Sequence, residues 1–338
     1  SAAEKPLWMR YVSLSPDGSQ IAFTYKGDIF KVQSTGGRAV QLTTHPAHDT
    51  RPIWSPDGSK IAFSSNREGG FDLYVMEATG GAPTRLTTHS ANEYPVVFKD
   101  TNHILFTASI MPDVKDTQFP VFDQVYEVNV TGGRPSLFAS LPMENISIHG
   151  NKMLYHNKKG YEDEWRKHHQ SSIARDIWMA DFSSGEKEFT KLSTFRGEER
   201  NPVWKSADSY YYLSEESGSF NVHKRDLNGG NQQQLTHFKE HPVRFLSSSK
   251  EGVLCFAYDG EIYTMKEGQE PQKVSISVVA DNLEKEVEFL SLKSGVREFD
   301  LSPDEKEIAF VLRGDVFVSS IEYGTTKRIT NTSEQERN

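Results

Sequence analysis

The sequence is short of the features that would place it quickly. It has one cysteine, Cys255, in 338 residues, which excludes an intrachain disulfide and a multi-cysteine zinc site. Cys255 lies in the apolar residues 253–257, where a buried, inert thiol is expected. No apolar run approaches the ~18 residues of a helical membrane span. The opening Ser1-Ala2-Ala3-Glu4-Lys5-Pro6 lacks a signal-peptide core, so any export signal is expected to have been removed already. Positive charge is not in excess: 38 Lys and Arg face 47 Asp and Glu, a net −9, which argues against a generic nucleic-acid binder. There is no G-x-S-x-G elbow, Walker A loop, H-E-x-x-H pair or EF-hand loop. No catalytic residue and no cofactor is therefore assigned.

What is present is repetition, which organises the whole chain. Ser15-Pro16-Asp17-Gly18-Ser19-Gln20-Ile21-Ala22-Phe23 returns as Ser55-Pro56-Asp57-Gly58-Ser59-Lys60-Ile61-Ala62-Phe63. Asp28-Ile29-Phe30-Lys31-Val32 matches Asp72-Leu73-Tyr74-Val75-Met76, then Gly36-Gly37 matches Gly80-Gly81, and Gln41-Leu42-Thr43-Thr44 matches Arg85-Leu86-Thr87-Thr88. The same order recurs near the C-terminus from Ser302-Pro303-Asp304-Glu305 to Lys327-Arg328-Ile329-Thr330, with weaker copies between. Pro and Gly preset a tight corner, alternating β-branched and aromatic residues supply paired strands, and Gly-Gly makes the next hairpin. A lone four-stranded sheet cannot bury both faces, so the units are expected to pack in a ring. The fold class is all-β, a β-propeller of four-stranded blades in seven repeats, with a single seven-bladed propeller over 1–338 preferred. The alternative is a six-bladed propeller over 1–280, with 281–338 forming a linker and the first blade of a second.

Strand alternation puts the Pro-Asp-Gly and Gly-Gly turns on one rim and all the irregular connections on the other, where binding is expected to concentrate. Two long connections stand out, residues 109–123 and 157–175, the latter carrying Tyr161, Trp165 and Arg166. The turns that enter each innermost strand bring Asp49, Arg51, Glu93, Glu199, Arg200, His241, Arg244 and Arg297 toward the axial mouth, a mixed-charge ring suited to a peptide's termini or a sugar acid. The competing reading of each is an ion pair that staples adjacent blades. His45, His48, His89, His237 and His241 fall on or near the same rim; they are weak metal candidates, and no metal site is assigned.

The Ser-Pro-Asp-Gly, Ile-Ala-Phe, Asp-Leu-Tyr-Val, Gly-Gly, Leu-Thr order resembles the TolB/tricorn class of WD-like propellers. The whole chain, including Lys159-Gly160-Tyr161-Glu162-Asp163-Glu164-Trp165-Arg166 and Arg313-Gly314-Asp315-Val316-Phe317-Val318, is similar to the N-terminal propeller region of bacterial tricorn-like serine peptidases. The resemblance implies a non-catalytic module that binds, filters or channels peptides on behalf of a peptidase domain absent from these residues. It also implies a periplasmic or otherwise exported location, and assembly with peptidase domains or as a homo-oligomer. A TolB-like module that docks a protein partner is the second expectation, and a propeller lyase for acidic sugars with a His-bound metal the third.

Overall fold

The computed structural model describes residues 8–88, 91–108, 123–157 and 174–279, and the backbone of four strands between 296 and 328. Among the described residues no helix is long and apolar enough to cross a membrane, and the architecture is strands and turns. Six antiparallel four-stranded sheets follow one another along the chain. Blade 1 is Arg10–Leu14, Gln20–Tyr25, Asp28–Gln33 and Val40–Gln41; blade 2 is Asp49–Trp54, Lys60–Glu68, Gly70–Glu77 and Thr84–Arg85. Blade 3 is Glu93–Phe98, His103–Ala108, Gln124–Asn129 and Ser136–Ala139, and blade 4 is Met143–His149, Lys152–Asn157, Ile177–Asp181 and Glu188–Lys191. Blade 5 comprises Glu199–Ser206, Ser209–Ser214, Asn221–Asp226 and Gln233–Gln234; blade 6 comprises Arg244–Ser248, Val253–Tyr258, Glu261–Lys266 and Gln272–Lys273. In every blade the first strand is innermost and the fourth outermost.

The Ser-Pro-Asp-Gly-Ser corner closes on itself. Asp17 Oδ1 accepts from Ser15 Oγ at 2.6 Å, Ser19 N at 2.9 Å and Ser19 Oγ at 2.8 Å. Asp57 repeats the arrangement with Ser55 and Ser59, and these hydrogen bonds hold its carboxyl down at about 2. Gly18 and Gly58 take φ of 77° and 72°, a conformation that costs a side chain but not glycine.

Packing between blades follows from the period-2 alternation of Ile-Ala-Phe. In blade 2 the large Ile61, Phe63, Tyr74 and Met76 pack against Ala22, Ile29 and Leu42 of blade 1. On its other face, Ala62, Leu73 and Val75 receive Ile104 and Phe106 of blade 3. Each fully buried side chain of this size stabilises the fold by roughly 1.5–3 kcal/mol. Cys255 stands where other blades place the small alanine, fully buried between blades 6 and 1, and burial pushes its thiol pKa up.

That last cluster decides the blade count. Cys255, Ala257, Ile262 and Val274 of blade 6 pack directly on Val12, Ile21 and Phe23 of blade 1, and the innermost strands of the two blades touch. The ring therefore closes at six, the alternative reading of the repeats and not the preferred seven, because blade 6 packs directly on blade 1. The seventh repeat does fold, as Val296–Leu301, Glu307–Leu312, Asp315–Ser320 and Thr326–Arg328, a separate antiparallel sheet whose strands pair with one another. Among the described residues the closure is held by a short parallel pair of Gly37–Arg38 and Ile276–Ser277, with Gly37 N donating to Ser275 O and Ala39 N to Ser277 O, both at 2.8 Å. A Cβ on Gly36 would stand 2.7 Å from Ser275 O, so the Gly-Gly of blade 1 serves the ring as well as its own hairpin.

Candidate functional site: the axial cavity

The innermost strands of all six blades enclose a cavity of about 1100 Å³ on the axis. Each of these strands carries a break in register, between residues 10 and 13, 50 and 53, 95 and 97, 144 and 147, 200 and 203, and 244 and 247. Such bulges re-aim side chains. In five of the six, a non-glycine residue sits at positive φ: Tyr11 at 50°, Arg51 at 59°, Asn145 at 49°, Asn201 at 53° and Phe245 at 55°. Blade 3 has Pro95 at the matching place, and proline cannot adopt that conformation. A residue held there costs on the order of 1–2 kcal/mol, and neighbouring blades hold it. Asn201 N donates to His156 Nδ1 at 2.9 Å, while the Asn201 side chain brackets Leu246, accepting from its N at 2.8 Å and donating to its O at 2.9 Å. With Nδ1 accepting, His156 donates from Nε2 to Glu144, 3.0 Å away. Burial holds this imidazole neutral, its pKa below the usual value.

In blade 2 the bulge residue is itself an arginine, and in blades 5 and 6 an arginine immediately precedes it. Arg51, Arg200 and Arg244, all expected at the mouth, line the cavity together with Arg175. The Arg51 guanidinium lies between the rings of Tyr94 at 3.9 Å and Tyr11 at 5.1 Å, and its Nε is buried without a hydrogen-bond partner. Burial pushes the Tyr11 phenol up, but Arg51, Arg10 and Arg244 around it outweigh that and bring it below its ordinary value. Arg200 lies 3.9 Å over the ring of Phe220. Burial, with Arg175 and Arg244 nearby, lowers its pKa to about 10 against the pull of Glu198 and Glu215. Arg175 is engaged, by Glu198 at 2.5 Å and Glu144 at 3.7 Å.

The expected acids have a different fate. Asp49, Glu93 and Glu199 are fully buried and are not part of a ring open to solvent at the mouth. Asp49 accepts from Arg67 at 3.1 Å. Glu199 is gripped by Arg225 of its own blade and by Ser193 Oγ at 2.9 Å from the blade before. Glu93 accepts from Thr87, also of the preceding blade, but its other oxygen has no partner, and burial raises its pKa to about 7. For Glu93 and Glu199 the physical reason is the repeat itself: the Leu-Thr or Leu-Ser that ends one blade points its hydroxyl at the first residue of the next. The cavity is left basic, with Arg51, Arg175, Arg200, Arg244, Lys205 and Lys250 against Asp123 and Glu144, inside a chain of net charge −9.

The remaining candidates do not join this site. His45 accepts from Ala47 N at 3.0 Å, His48 lies edge-on to Phe71, His237 is exposed, and His241 Nε2 stands 3.5 Å from Asp259. Among the described residues no group of three or more His, Cys, Asp or Glu could hold a metal ion. Arg297 lies in the seventh sheet. Tyr161, Trp165, Arg166 and His89 lie outside the described residues. Sequence reasoning missed Tyr11, Tyr94, Asn145, Asn201 and Phe245. Aligning the six strand starts would have exposed them, since all but Tyr94 fall at one position of the repeat.

The profile of the tricorn protease N-terminal β-propeller domain matches residues 6–271. This chain belongs to that family. It is 27% identical over 322 residues to a tricorn protease homolog of Saccharolobus solfataricus, covering 92% of this chain and 28% of the relative. It is 23% identical over 288 residues to tricorn protease homolog 1 of Streptomyces coelicolor, covering 80% and 25%. The crystal structure of the tricorn protease superposes with a TM-score of 0.63 at 18% identity, over 97% of this chain and 32% of that one. The tricorn propeller described here thus spans about a quarter of the length of these curated relatives.

Proposed function

We propose that this tricorn-type propeller is a non-catalytic peptide-handling module, admitting and holding peptides in its axial cavity on behalf of a peptidase domain. The observation that carries the reading is the cavity wall: guanidinium groups lying over aromatic rings, contributed by separate blades and presented to a space of about 1100 Å³, room for several residues of extended chain. Apolar surface with a few oriented polar groups is what ligand sites provide. This reading places the hydrolytic chemistry in a peptidase domain outside these residues. The test is direct. Fluorescently labelled hexapeptides should bind the purified chain, measured by anisotropy, and should emerge uncleaved after prolonged incubation. Hydrolysis by these 338 residues would overturn the non-catalytic reading, and absence of binding at millimolar concentration would overturn peptide handling.

We further infer that the propeller ends near residue 279 and that the sheet from Val296 begins another unit. Direct packing of blade 6 on blade 1 supports this division. A chain ending at 279 should unfold cooperatively at close to the temperature of residues 1–338.

A further inference from the structure

Arg51 and Arg200 are an unusual pair of cations. Each is largely withdrawn from water, and neither has a carboxylate within ion-pair distance among the described residues. Folding ordinarily pairs such charges, because an uncompensated buried one costs several kcal/mol. This fold pairs them elsewhere with care: Asp49 with Arg67, Asp72 with Arg85, Glu199 with Arg225. The acids one or two positions earlier in the same strands are sealed into the blades and cannot reach the cavity. Arg244 lies electrostatically between the two, close enough to lower both Tyr11 beside Arg51 and Arg200 itself. The basic arc therefore runs through blades 2, 6 and 5 on one side of a shared cavity. A guanidinium stacked flat on a ring keeps its N–H edge available, and that edge matches the two oxygens of a carboxylate.

We propose that the axial cavity selects peptides bearing clustered Asp or Glu side chains, whose carboxylates complete the coordination of Arg51 and Arg200, with Arg244 adding positive charge between them. This rests on the peptide-handling reading and sharpens it: several separated guanidinium groups suit several side-chain carboxylates better than one terminal group. The strained bulges have a purpose under this reading. Arg51 is itself the bulge residue, and the bulges of blades 5 and 6 begin directly after Arg200 and Arg244, a recurrent placement of such strain at binding sites.

The experiment compares three hexapeptides on the intact chain: one C-terminally amidated with three Glu, the same with three Gln, and the Gln peptide with a free C-terminus. The Glu peptide should bind at least about tenfold tighter than the amidated Gln peptide, the scale of one charged hydrogen bond, with an advantage that shrinks as salt is raised. Arg51→Gln and Arg200→Gln should each remove about tenfold from the Glu peptide and weaken the Gln peptide by a much smaller factor, so that the Glu-over-Gln preference falls. Thermal melts and circular dichroism matching the parent chain would confirm that the variants are folded, and Arg51→Lys should restore part of the loss. Equal binding of the two amidated peptides would overturn charge selection while leaving peptide handling intact. A gain from the free C-terminus as large as that from three Glu, or inorganic phosphate binding as tightly as the Glu peptide, would overturn the assignment to clustered side chains. Failure of every peptide to bind would overturn both readings.

Discussion

Two neighbouring positions of each innermost strand meet opposite fates. The first, held by Asp49, Glu93 and Glu199, is sealed between blades; the next one or two, held by Arg51 and Arg200, face the axial cavity with no carboxylate at ion-pair distance among the described residues. Both positions read as charged rim residues in the sequence. In blade 2 the second position, Arg51, is the bulge residue itself; in blades 3 and 5 the hydroxyl that closes the preceding blade captures the first. Glu93 and Glu199 extend the comparison. Thr87 and Ser193 make the same hydrogen bond to them, yet Glu199 has Arg225, whereas the Arg85 nearest Glu93 is committed to Asp72 at 2.7 Å. One site stores a paired ion, the other a carboxyl kept protonated up to near neutrality.

The most damaging way to break this comparison is Arg225→Met. It leaves Glu199 buried and unpaired and also removes the donor to Tyr210, so denaturant unfolding should show a loss of about 3–5 kcal/mol. Adding Glu199→Gln should return most of it, since an uncharged pair has no stranded ion. A single-variant loss below about 1 kcal/mol would show that Glu199 is not held by Arg225.

Glu93→Gln should act in the other direction and only over part of the pH range. The folded carboxyl releases its proton near 7, the unfolded one near 4.5. The stability Glu93 contributes is therefore complete below 4.5 and disappears as pH rises through 7. Glutamine cannot ionise, so the variant should match the parent at pH 4.5 and exceed it at pH 8 by on the order of 2–3 kcal/mol. Melting temperatures across that range give the answer; parallel curves for parent and variant would refute the assignment.

Gly36→Val tests the ring rather than a charge. Its side chain would meet Ser275 O in the blade 1 to blade 6 closure, at a φ of 97° that valine resists. A loss of about 1–3 kcal/mol is expected, whereas Gly80→Val, at the same repeat position in blade 2 with open space around it, should cost less. Equal losses would mean that the strain alone, and not the closure, sets the requirement for glycine.

These residues also measure what the sequence made legible. Ser-Pro-Asp-Gly, Ile-Ala-Phe and Gly-Gly identified strands, turns and the propeller because each is a local rule repeated in register. The blade count was not legible, because closure depends on whether residues 253–278 pack against blade 1 or against a later sheet, a long-range contact that leaves no local mark. For the site, Arg51, Arg200 and Arg244 were found from charge and position. Asp49, Glu93 and Glu199 read as part of the same mouth because capture by Arg67 for the first, and by a hydroxyl from the preceding blade for the other two, is invisible in one repeat alone. Tyr11 and Asn201 were missed because a bulge is a backbone event, and ordinary residues adopt positive φ there only when the neighbouring blade holds them.

The smallest expected effect is the most discriminating. Arg51→Met removes a cation between two tyrosine rings while keeping a long, flexible, apolar side chain in its place. The lost cation–π attraction is worth about 0.5–2 kcal/mol, and the relief of a buried, unpaired charge offsets it. Stability should therefore change by no more than about 1 kcal/mol in either direction, against the several lost in Arg225→Met. Two arginines in equivalent surroundings of polar strand and aromatic ring would then differ because one answers a carboxylate inside the fold and the other does not. A loss at Arg51 as large as at Arg225 would place both among the staples of the ring and remove the reason for looking to the cavity for Arg51's partner.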